Sequence, residues 1–230
     1  MSPSTFNIFL KQLSRNAHPV LNPKIASSAY VPINLSETNP QLNTFNVASS
    51  SDWEKFMQSH LKSHQAKVAY GGYLEQRNIY KRSGYFNPAN HSMERNIHLG
   101  IDFWLDAGEN IYAPLQGTIH SFKNNTNYGD YGPTIILEHT IENQVFFTLY
   151  GHLSLASIKD IKQGDVVQRG EAFATLGTAE VNGDYAPHLH FQIIRDIAKY
   201  EGDYPGVCSK KNLDKFKSNC PDPNVLLNLY

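Results

Sequence analysis

Between residues 98 and 195 the chain runs as short β-type segments punctuated by glycine, and no segment of helical period there is long enough to cross over between strands. Parallel strands need crossovers of a dozen or more residues, usually helical. The strands are therefore expected to pair antiparallel. Residues 111–122 are interrupted by Pro114 and Gly117. Residues 134–141 and 145–150 are rich in β-branched and aromatic side chains, and residues 142–144 between them suit a hairpin turn. Further β-type runs follow at 166–167, 172–176 and 189–194. Residues 78–96, 124–132 and 179–187 read as long loops, which in a compact β domain often carry function.

The first 66 residues differ, with little Gly and much Ser, Asn and Pro. Phe6, Phe9, Leu10 and Leu13 recur at helical spacing. Residues 18–50 contain Pro19, Pro23, Pro32 and Pro40 and read as an extended loop. Ser51 and Glu54 fit a capping box, and Trp53, Phe56, Met57 and Leu61 fall on one face of a helix expected at 51–63. The expected fold is mostly β: an antiparallel domain at 67–206, preceded by an extension with short helices at 1–66 and followed by a tail at 207–230.

Charge excludes some partners. Twenty Lys and Arg face 21 Asp and Glu, a net charge of −1, which gives no reason to expect nucleic acid or an anionic membrane surface. No apolar run approaches the roughly 20 residues that span a bilayer. Residues 1–13 lack a basic n-region, a continuous apolar h-region and a small-residue cleavage site. A cytoplasmic location is expected on that ground, and a secreted or periplasmic one if a leader has been removed. Cys208 and Cys220, twelve positions apart, are expected as reduced, partly buried thiols, with a single clip across the tail as the alternative.

Four of the ten histidines stand in distinctive settings. His188 and His190 are two apart, so on a strand both imidazoles share a face, with Cα atoms about 6–7 Å apart. His98 and Asp102 are four apart. On a straight strand they would be separated by about 13 Å, too far to reach one ion, so a bend is required. Gly100 between them supplies the backbone freedom for it. Imidazole nitrogen with carboxylate oxygen suits Zn²⁺. His152 follows Tyr150-Gly151 directly after a strand.

Taken together, His98-Leu99-Gly100-Ile101-Asp102, Tyr150-Gly151-His152-Leu153-Ser154 and Pro187-His188-Leu189-His190-Phe191 resemble the M23 family of zinc metallopeptidases, the LytM and lysostaphin type. Ile111-Tyr112-Ala113-Pro114 and Gly164-Asp165-Val166-Val167 resemble the family as well. The resemblance covers roughly residues 90–195. The flanks, Tyr70-Gly71-Gly72-Tyr73-Leu74-Glu75-Gln76-Arg77 and Asp203-Tyr204-Pro205-Gly206-Val207-Cys208 with Cys220-Pro221-Asp222-Pro223-Asn224, look like those of M23 modules fused between a phosphotransferase and an aminotransferase in some large proteins.

The resemblance implies one Zn²⁺ held by His98, Asp102 and His190, with His152 and His188 as catalytic histidines. Two imidazoles and a carboxylate leave the ion an open position, suited to activating water and polarising a carbonyl. Either histidine could then serve as base and the other stabilise the oxyanion. The implied activity is that of a zinc metalloendopeptidase acting on peptidoglycan-like or Gly-containing peptides. Tyr128, Asp130, Tyr131, Asn182, Asp184 and Tyr185, on the long loops, are the expected substrate contacts. The alternative is a non-catalytic M23 module that binds a partner or glycan and regulates another enzyme. Residues 1–66 are long enough to lie over the site, where Asn22, Asn34, Asn39 or Asn43 could supply a further ligand.

Overall fold

The computed structural model describes residues 1–84 and 94–229. The loop expected at 78–96, with His91, therefore falls partly outside the described residues. The main sheet is built from β1 (Tyr30–Pro32), β2 (Val68–Gly71), β4 (Ile101–Trp104), β6 (Gly117–Asn125), β7 (Gly132–Ile141), β8 (Gln144–Gly151), β9 (Val166–Val167) and β11 (His188–Ile194). Their order across the sheet is β1-β2-β4-β11-β8-β7-β6-β9. Two small ladders flank it: β3 (Ile97–His98) with β12 (Val207–Cys208), and β5 (Asn110–Tyr112) with β10 (Ala172–Thr175).

Pairing is antiparallel from β2 to β9, as expected. The exception is β1, which lies parallel to β2 at the sheet edge, inside the segment expected to be loop. Its three residues are too few to show a period in sequence. The β7–β8 turn is tighter than expected. Gln144 already pairs with Ile141, so only Glu142 and Asn143 form the turn, both at positive φ, as in a type I′ hairpin.

Strand alternation gives the sheet two different faces. Leu189, Phe191 and Ile193 of β11, with Ile101 and Phe103 of β4, enter the largest apolar cluster. Helix α1 (Pro3–Leu13) closes that cluster. Phe6 and Phe9 meet Phe146 edge-on, with ring centroids 5.7 and 6.0 Å apart. The opposite face carries Asp102, Trp104, His188, His190 and Gln192. It lies between two further clusters, one with α2 (Ser50–Ser63) and one with the C-terminal tail.

Helix α2 buries Trp53 and Met57 and packs Phe56 and Leu61, the face expected from the sequence. The cap differs. Ser49, in extended backbone, accepts from the Asp52 amide, and Ser51 lies within the first turn. The tail continues through α3 (Leu213–Asn219) and α4 (Asn224–Leu227). Cys208 and Cys220 are free, buried thiols in one cluster, and burial raises both, Cys208 to about 11 and Cys220 to about 12.

Candidate metal centre

His98 and Asp102 meet because the chain changes sheets between them. His98 ends β3 against Val207, while Asp102 in β4 pairs with His190 of β11. Gly100 serves this in a different way from the expected bend. Its φ is not positive, so no left-handed turn is needed there. A Cβ at Gly100 would lie 2.6 Å from His190 Cε1 and 2.6 Å from the Phe191 carbonyl oxygen. The glycine gives clearance to the His190 ring.

Three donor atoms converge on one point. His98 Nε2 lies 2.8 Å from His190 Nδ1 and 3.2 Å from Asp102 Oδ1, and His190 Nδ1 lies 3.0 Å from Asp102 Oδ1. All three residues are buried. The far atom of each side chain is already occupied. His98 Nδ1 is 2.9 Å from the Gly72 carbonyl, which can only accept, so Nδ1 carries the proton and Nε2 keeps its lone pair. His190 Nε2 is 2.9 Å from Gln192 Oε1, which leaves Nδ1 free in the same way. Asp102 Oδ2 takes the Arg77 guanidinium at 2.5 Å, leaving Oδ1 toward the centre. Arg77 is itself buried and paired with Glu75, 2.7 Å away.

This donor set fits a small divalent cation. Tetrahedral zinc, about 2.0–2.2 Å from each ligand, sets its ligands about 3.3–3.6 Å apart, slightly wider than the present spacings. Three lone pairs facing one another repel unless a cation sits between them. Outer partners that fix tautomer and orientation are what such ligands require. Burial, with Arg77 nearby, pushes His98 down to about 4. Burial alone would raise Asp102, but His98 and Arg77 hold its carboxyl well below the usual range.

His152 and His188 stand beside the trio, with ring centroids 4.1 Å apart. His188 Nδ1 donates to the Ala186 carbonyl at 2.8 Å, and its ring stacks on Trp104. His152 Nδ1 donates to the Asn182 carbonyl at 2.8 Å. Each therefore keeps an unprotonated Nε2. Burial lowers His188 to about 4 and, with His188 alongside, drives His152 well below its usual value. His152 adopts φ 64°, a left-handed backbone that a non-glycine residue takes at a cost. Its amide donates to Tyr131 and its carbonyl accepts from Gly177, which hold it there.

A cavity of about 220 Å³ opens over these five side chains. Of the expected substrate contacts, Asp130, Tyr131 and Tyr185 line it. Tyr128, Asn182 and Asp184 do not line it. Asn182 is fully buried, and its side chain accepts from the Tyr185 amide. Asp184 accepts from Ser50 and faces Arg82, whose guanidinium sits over the Tyr128 and Tyr185 rings. The extension reaches the cavity through Leu35 and Trp53. Asn22, Asn34 and Asn39 accept from backbone amides of their own turns, and neither they nor Asn43 line the cavity. Sequence reasoning gave no role to Arg77, Gln192, Tyr80 or Trp104; Arg77 stood only at the end of the flank that begins at Tyr70, and the other three stood in no motif.

The antiparallel sheet thus presents a buried His-Asp-His donor set beside two further histidines, a candidate metal centre. Residues 96–202, just under half of the chain, match the profile of peptidase family M23. The chain is 27% identical over 146 residues to the peptidoglycan DD-endopeptidase ShyA of Vibrio cholerae, covering 60% of this chain and 31% of that protein. It is 30% identical over 115 residues to lysostaphin of Staphylococcus staphylolyticus, covering 50% of this chain and 22% of that one. The chain thus spans less than a third of either relative. A solved structure of the catalytic domain of lysostaphin from Staphylococcus simulans is 24% identical, covers 58% of this chain and 89% of its own, and superposes with a TM-score of 0.38.

Proposed function

We propose that this chain is a zinc-dependent metalloendopeptidase that hydrolyses peptide bonds in peptidoglycan-like or Gly-containing peptides. The observation that carries it is the convergence of His98 Nε2, Asp102 Oδ1 and His190 Nδ1, each with its far atom tied, beside two histidines whose Nε2 atoms are free. Zinc held there would supply a Lewis acid and lower the pKa of a water near the scissile carbonyl.

The chain's own groups supply the rest. His152 and His188, neutral and proton-free at Nε2, are set to accept a proton and return it to a leaving amine. A histidine that has taken the proton becomes a donor to the oxygen on which charge develops. The carbonyls of Asn182 and Ala186 hold the two rings in place through either state. Tyr131, Tyr185 and Trp104 give the cavity aromatic walls that exclude water from the bond being cut.

The test is zinc-loaded protein incubated with purified cell-wall fragments and with pentaglycine, the products read by mass spectrometry. A new amine and carboxylate at a defined peptide bond is the expected result. His188→Ala separates this function from a binding module. Turnover should fall by about 10²–10⁴-fold while zinc stays bound, whereas intact substrate with the parent protein would refute hydrolysis.

A further inference from the structure

Gln192 lies two residues beyond His190 on β11, on the same face, and is fully buried. Its Oε1 is 2.9 Å from His190 Nε2. Its Nε2 is 3.2 Å from the Pro205 carbonyl oxygen and 3.3 Å from Cys220 Sγ. These contacts fix which way round the amide sits. Pro205 offers an oxygen that can only accept, so the NH₂ end must face it. The oxygen end then faces His190, and Nε2 of that ring must be the protonated nitrogen. The Tyr131 hydroxyl also approaches His190 Nε2, but at 3.4 Å, and a hydroxyl can accept as readily as donate.

We propose that Gln192 is a positioning residue for the metal centre: it holds His190 in the tautomer that turns Nδ1 to the cation, and the C-terminal segment, through Pro205 and Cys220, sets the amide that does so. Pro205 and Cys220 both lie past residue 202, where the match to the family ends. Through Cys220 the tail at 207–230 reaches the surroundings of the site and does more than cover the hydrophobic cluster around Leu99 and Tyr131. The inference rests on the zinc centre proposed above, and it concerns this chain's own residues around it.

Zinc affinity, measured by competition with a chromophoric chelator, tests this on the parent, on Gln192→Leu and on Gln192→Glu. The melting temperature of each metal-free protein reports folding. Loss of an outer-shell partner of this kind lowers metal affinity by about 10–100-fold, and that is the expected result for Gln192→Leu. Gln192→Glu keeps an acceptor opposite Nε2–H but loses the donor to the Pro205 carbonyl, and should hold zinc more tightly than Gln192→Leu. A folded Gln192→Leu that matches the parent would overturn the proposal. Nitrogen-15 spectra of the zinc-loaded parent give a second readout that survives even if Gln192→Leu does not fold. His190 should show zinc on Nδ1 and a hydrogen-bonded proton on Nε2, and the reverse assignment would overturn the proposal. If the parent itself binds no zinc, the metalloendopeptidase function fails first, and the two failures are told apart.

Discussion

Single residues around the trio carry two sharp expectations. At Gly100 a methyl group would meet the His190 ring and the Phe191 carbonyl, both at 2.6 Å. Gly100→Ala should therefore displace His190 and weaken zinc binding, and a chelator titration measures the loss. Arg77 is buried between Asp102 and Glu75. Arg77→Leu strands two carboxylates and should cost about 3–5 kcal/mol of stability, read from chemical denaturation of the metal-free protein. His98, Asp102 and His190 were legible in sequence through the resemblance of their motifs to a known family, since spacing alone did not bring them together. Arg77 and Gln192 were not, since a buried Arg or Gln in a strand-rich chain carries no spacing signal. The tautomers were illegible for a deeper reason. They depend on the carbonyls of Gly72, Ala186 and Asn182, and a backbone carbonyl has no identity in the sequence.

The elements differ in how plainly they were written. Helices α1 and α2 and the strands from β6 to β11 followed from hydrophobic period and β-branched runs. Strand β1 did not, because three residues show no period and Pro32 argues against a strand interior. It is tolerated at the edge, beside β2. The extension is joined to the domain at this edge and through α1. Phe6 and Phe9 are buried against Phe146 in the main cluster. Phe9→Ala should cost about 3–5 kcal/mol, measured as a shift in denaturant midpoint. A negligible shift would mean that α1 merely rests on the surface.

Across the whole molecule, acid should unfold the metal-free protein in a defined window. His139 is fully buried, its ring nitrogens bonded to the Gln116 carbonyl and the Thr148 hydroxyl, and burial lowers it to about 4. An unfolded chain takes up that proton near pH 6.5, while the folded chain refuses it until about pH 4. Stability present above pH 6.5 is therefore lost as pH falls through this window, by about 3 kcal/mol for His139. His98 and His188, also lowered to about 4, act in the same direction. Unfolding free energies measured by urea titration at intervals from pH 7 to pH 4 should fall steadily. His139 lies on β7, and its partners hold it in the core.

The most direct measurement is anomalous diffraction at the zinc edge from crystals of the zinc-loaded protein. One strong peak is expected, in contact with His98 Nε2, Asp102 Oδ1 and His190 Nδ1 together. A peak bound elsewhere, or none at that point in a fully loaded crystal, would contradict the assignment of these three side chains as a single metal centre.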